Sequence, residues 1–60
     1  QPDVETLGML LLNKAAITNL NGDEALAVRI LGELIVANIT TSNVIAIAKA
    51  ALFSLAQSKP

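Results

Sequence analysis

The side chains of this 60-residue chain that could do chemistry are few and scattered. Its carboxylates are Asp3, Glu5, Asp23, Glu24 and Glu33, its amines Lys14, Lys49 and Lys59, and its guanidinium Arg29. General acid–base work needs ionisable groups that converge on one proton. The adjacent pair Asp23–Glu24 follows Asn21–Gly22, where carboxylates serve the positive end of a new helix instead. No pattern marks a lysine as a buried amine nucleophile. Without cysteine or histidine there is no thiol nucleophile, imidazole base, disulfide or zinc site of the usual kind. Gly8, Gly22 and Gly32 stand too far apart to build a phosphate-cradling loop. The expectation is a chain with no catalytic residue, no cofactor and no bound metal: not an enzyme.

Binding to charged polymers or lipid is disfavoured as well. Four basic residues against five acidic ones leave a net charge of −1, without the clustered positive field that nucleic acid requires. Phe53 is the sole aromatic residue, so bases find no stacking platform. The mean hydropathy of +0.61 raises the question of a membrane span. The longest charge-free interval between Glu33 and Lys49 holds fifteen residues, fewer than the ~18–20 that a spanning helix needs, and Asn38, Thr40, Thr41, Ser42 and Asn43 interrupt it. No basic leader precedes an apolar stretch, which speaks against a retained signal peptide. Asn38–Ile39–Thr40 fits the glycosylation triplet, a pattern too common by chance to indicate secretion. The absence of cysteine fits a reducing, cytoplasmic setting.

The elements that must position these residues are helices. Ten alanines and ten leucines dominate, and strict alternation is never sustained, so the β-branched run around Leu34–Thr40 is outweighed. Two polar breaks, Asn19–Glu24 and Asn38–Asn43, divide the chain into three segments. Asn21–Gly22 is a helix stop, since glycine tolerates the left-handed conformation that closes a helix. Asp3, Asp23 and Thr41 or Ser42 are natural caps for the helices that follow them. The reading is an all-α fold of three short helices, about 3–20, 23–38 and 42–58, in one module spanning 1–60. Gln1 is not an initiator residue, so a fragment of a longer chain belongs to that reading.

The first helix has no clean polar face. Leu7, Leu11 and Ala15 lie on one side, Met9, Leu12, Ala16 and Leu20 on another, and Leu10 and Ile17 on a third. A helix apolar nearly all round is buried nearly all round, which two helices of its own chain cannot achieve. The second helix gathers Ala27, Val28, Ile30, Leu31, Leu34 and Ile35 on one arc, opposite Arg29 and Glu33. Gly32 in its middle either admits another backbone or is simply tolerated. The third helix has a narrow seam of Val44, Ala48, Ala51 and Leu55, with Phe53 projecting away from it beside Ala46, Lys49 and Gln57. The expected core is Leu11, Ile30, Leu31, Leu34, Ala48, Leu52 and Leu55. The expected interface is Met9, Leu10, Leu12, Ile17 and Phe53.

A 60-residue chain buries only about 60% of its unfolded surface and usually needs a staple or a partner. Disulfides are excluded, so the bundle is read as completed by self-association. The leading functional reading is a non-enzymatic oligomerisation module, whose partner is itself (homodimer or higher oligomer) or another helical protein. The alternatives are a small regulatory adaptor, a helix-turn-helix-like transcriptional regulator with its turn at 38–43, and a membrane-active amphipathic peptide.

Glu5–Thr6–Leu7–Gly8 at the first helix and Thr40–Thr41–Ser42 before the last resemble motifs of the small enterobacterial connector proteins of biofilm and acid-stress regulation. The resemblance covers those two short motifs, and their separation departs from the family's by about one helical turn. It implies a small helical dimer that acts through protein partners.

Overall fold

Each helix begins at a residue whose side chain or backbone captures the amides left unpaired at a helix start. The computed structural model describes residues 3–57, and among them the elements are α1 (Val4–Leu20), α2 (Glu24–Ala37) and α3 (Ser42–Gln57). The Asp3 carboxylate accepts the Glu5 amide at 3.3 Å and the Thr6 hydroxyl at 3.2 Å. The Asp23 carboxylate accepts the Leu26 amide at 3.1 Å. Thr41, rather than Ser42, caps α3: its hydroxyl accepts the Val44 amide at 3.3 Å. These starts and stops fall within two residues of the expected bounds. Position 58, placed in the third helix from sequence, lies outside the described residues.

The two turns close differently. After α1 the Asp23 amide donates to Thr18 and the Gly22 amide to Asn19, the paired bonds of a Schellman motif. Gly22 takes the left-handed φ of +95° that this motif demands. After α2 the left-handed position falls to Asn38 (φ +52°), whose amide donates to Leu34. Asparagine is among the few side-chain-bearing residues that accept this geometry without large strain. The β-branched run therefore divides into the end of a helix, a left-handed stop and a loop.

Both links reverse the chain, so α1 and α3 run in the same direction with α2 antiparallel to each. The core is aliphatic: Leu12 and Ala15 from α1, Leu31 and Leu34 from α2, and Val44, Ile45 and Ala48 from α3 are buried together. Ala27 is also fully buried. Of the expected core, Leu31, Leu34 and Ala48 are buried, while Leu11, Ile30, Leu52 and Leu55 are half-buried and pack against the cluster.

α1 and α3 meet closely where Gly8 faces the start of α3. A Cβ on Gly8 would lie 2.7 Å from Cγ1 of Val44 and 2.8 Å from Cβ of Thr40, nearer than real side chains approach. The hydroxyl of Thr40 donates to the Val4 carbonyl at 2.6 Å, fastening the α2–α3 loop to the first turn of α1. The absent side chain at position 8 is thus what lets the two parallel helices meet. Gly32, by contrast, has nothing within 4 Å of such a Cβ. No backbone of its own chain comes close there, and within this chain it is a tolerated glycine.

Candidate interaction surface

The ionisable side chains serve the helices that carry them. Asp3 and Asp23 are caps, and Glu24 stands in the first turn of α2 with one carboxylate oxygen shielded and without a hydrogen-bond partner. The positive end of α2 favours a carboxylate there. Arg29 and Glu33 pair at 3.4 Å one turn apart, with both side chains about 70% exposed, an arrangement worth a few tenths of a kcal/mol. Lys14 and Lys49 are exposed, and Lys59 lies outside the described residues. Among the described residues no three acidic side chains gather into a potential metal cluster. No helix among them is long and apolar enough to cross a membrane. In the glycosylation-like triplet, Asn38 is the left-handed stop and Thr40 the loop fastener, so both have structural roles.

What remains for a functional surface is the apolar exterior. Of the five expected interface residues, Met9, Leu10, Ile17 and Phe53 are exposed, the last three by 60%, 58% and 67%. Leu12 is not part of that surface. It is 8% exposed and belongs to the chain's own core. The reason is rotational: at ~100° per residue Leu12 lies about 40° from Gly8 and about 60° from Ala15, on the side of α1 turned inward.

The exposed residues form patterns. On α1, Thr6, Leu10, Asn13, Ile17 and Leu20 follow one another at spacings of 4, 3, 4 and 3, and all five are exposed. Leu10 and Ile17 stand on the side opposite Gly8, Leu12 and Ala15. On α3, Asn43, Ala46, Ala50, Phe53 and Gln57 repeat the 3-4 spacing and are likewise exposed. Neither row contains a charged residue. Between the two helices lies a mainly apolar groove of about 390 Å³, walled by Met9 and Ala16 on one side and Ile47 on the other, with Leu31 contributing from α2. The outer ridge of α2 is mixed: Arg29 and Glu33 occupy it with Val36, which is 85% exposed.

Sequence reading found Leu10, Ile17 and Phe53 but missed two features. Leu20, 83% exposed at the end of α1, extends the first row. Its spacing from Ile17 carried that signal. Gly8 gave no local signal, because its partners Thr40 and Val44 lie more than thirty residues away in sequence.

No family model matches the chain, and comparisons with curated proteins and with solved structures likewise find no match. The resemblance of the two short motifs to the connector proteins gains no support from these comparisons. Packing accounts for the same residues: Gly8 of the first motif and Thr40 of the second face each other.

Proposed function

We propose that this chain is a non-enzymatic self-association module, a three-helix unit whose apolar exterior is completed by another copy of itself. The observation that carries this reading is the outward face of α1, where Leu10 and Ile17 are more than half exposed on the side away from the core. A contiguous exposed apolar patch marks an interaction site more often than single apolar side chains do.

A helix-turn-helix role has less behind it. The outward row of α3 offers Asn43, Ala46, Ala50, Phe53 and Gln57, with Lys49 at its flank, too little for phosphates and base edges. A membrane-active peptide would need a cationic polar face, and among the described residues the cations Lys14, Arg29 and Lys49 sit on three different helices. The absence of cysteine agrees with a reducing, cytoplasmic setting. Sedimentation equilibrium over a hundredfold concentration range, read by interference because the chain lacks Trp and Tyr, tests the proposal. A mass at least twice that of the chain is expected, and a monomer throughout the range would refute it.

A further inference from the structure

We infer that Asn21–Gly22, in the turn between α1 and α2, is a self-modification site: the asparagine deamidates through a cyclic imide, and the closed turn holds that reaction back. Which asparagine reacts is set by the residue that follows it. The backbone nitrogen of that residue must reach the asparagine Cγ, and a side chain beside the nitrogen crowds the approach. Asn13, Asn19, Asn38 and Asn43 precede Lys14, Leu20, Ile39 and Val44, whereas Asn21 precedes a glycine. Asn21 and Gly22 are both exposed, and nothing lies within 4 Å of where a Cβ on Gly22 would stand. The reaction requires only water and the chain's own atoms, and no second copy.

The Gly22 amide gives its proton to hydroxide and its nitrogen bonds to Cγ of Asn21. The Cγ–Nδ2 bond breaks, and ammonia leaves with a proton taken from water. A second water then opens the imide. Cleavage at Cγ restores the main chain with an aspartate, and cleavage at the original carbonyl leaves isoaspartate, with one more methylene in the backbone. The folded turn opposes ring closure. Asn21 has a ψ of 2°, which sets the Gly22 nitrogen beside the Asn21 nitrogen and away from its Cβ. Closure needs a rotation of about 120° around that Cα–C bond, the separation of two substituents on a tetrahedral carbon. This rotation pulls the Gly22 amide off the Asn19 carbonyl (3.0 Å) and the Asp23 amide off that of Thr18 (3.1 Å). Modification therefore proceeds from the opened turn, at a rate set by how often the turn opens. The product then disfavours closing again. Its new carboxylate stands at the negative end of α1, whose last turn contains no basic residue, and two residues before Asp23. Isoaspartate also shifts the two amides of the Schellman motif out of register. The corner between α1 and α2 thus loosens once and does not reset.

The test incubates the wild-type chain in mildly alkaline buffer at 37 °C and follows each asparagine by peptide mapping with fragment-ion mass spectrometry. Conversion is expected at Asn21 ahead of the other asparagines, and at least about tenfold faster in urea that unfolds the chain. An unfolded chain that converts Asn21 no faster than Asn13, Asn19, Asn38 and Asn43 overturns the site. Equal rates at Asn21 with and without urea overturn the protection by the turn. The consequence is read separately, by thermal unfolding at low ionic strength. Asn21→Asp should melt a few degrees below wild type and the isolated isoaspartyl form lower still, while the neutral Asn21→Gln melts with wild type. Wild-type melting of both charged forms overturns the loosening of the corner. A loss in Asn21→Gln as large as that in Asn21→Asp overturns the role of the new charge.

Discussion

α1 and α2 form the most extensive contact in the fold, yet their outer faces differ in charge. α2 buries Ala27, Leu31 and Leu34 and turns Arg29 and Glu33 to solvent, with Val36, 85% exposed, beside them on the same ridge. α1 buries Gly8, Leu12 and Ala15 and turns Leu10 and Ile17 outward. The lesson is that the two outer faces differ in charge: an ion pair interrupts the exposed apolar side chains of α2, and no charge stands in the row of Leu10 and Ile17 on α1. Each also has a glycine in its body, with opposite surroundings: Gly8 is pressed against Thr40 and Val44, while Gly32 faces open space.

Four substitutions sharpen that contrast, from the largest expected effect to the smallest. Leu34→Ala removes a buried leucine from the face that α2 shares with both neighbours and should cost about 2–5 kcal/mol, enough to unfold much of a 60-residue chain at 37 °C, as read by urea titration followed at 222 nm. An intact transition at the wild-type midpoint would place Leu34 outside the core. Next comes Gly8→Ala. Its Cβ must displace Thr40 and Val44, so stability should fall by about 1–3 kcal/mol even though alanine favours helix. A gain in melting temperature would show that α1 and α3 do not meet there. Gly32→Ala should move the other way. With nothing within 4 Å of the new methyl group it should stabilise the chain by somewhat under ~1 kcal/mol, and a loss would reveal a hidden neighbour at that position. Smallest is Arg29→Ala, which breaks one exposed ion pair and should change stability by no more than about 0.5 kcal/mol. A larger loss would mean that the ridge of α2 is covered in the assembled protein.

The helices were legible because their ends are written in local chemistry. Asp3, Asp23 and Thr41 cap from within a few residues of what they bind, and Asn21–Gly22 stops α1 through its own backbone geometry. The core of α2 was legible for a similar reason, since Leu31 and Leu34 stand opposite a charged ridge. The same logic failed at Leu12. With apolar residues on every side of α1, amphipathicity cannot say which side faces in, and the orientation is set by Gly8, Thr40 and Val44 across the fold. The buried alanines Ala15 and Ala27 were left out of the expected core, although Ala27 stood on the apolar arc of α2, because a methyl group counts for little in any hydrophobic pattern. On the candidate surface Leu10, Ile17 and Phe53 emerged from the sequence. The row that links Leu10 and Ile17 to Asn13 and Leu20 emerged only once the inward side of α1 was fixed.

The central claim is that α1 is stabilised by a second copy of the chain, and mass action supplies its most direct test. A protein whose native state associates gains stability as concentration rises, whereas an independent monomer does not. Thermal unfolding followed by circular dichroism at 222 nm, at concentrations spanning a hundredfold, should give a melting temperature that climbs with concentration. A melting temperature constant across that range, with full helicity at the lowest concentration, would contradict the account and make the chain a self-sufficient monomer despite the apolar face of α1.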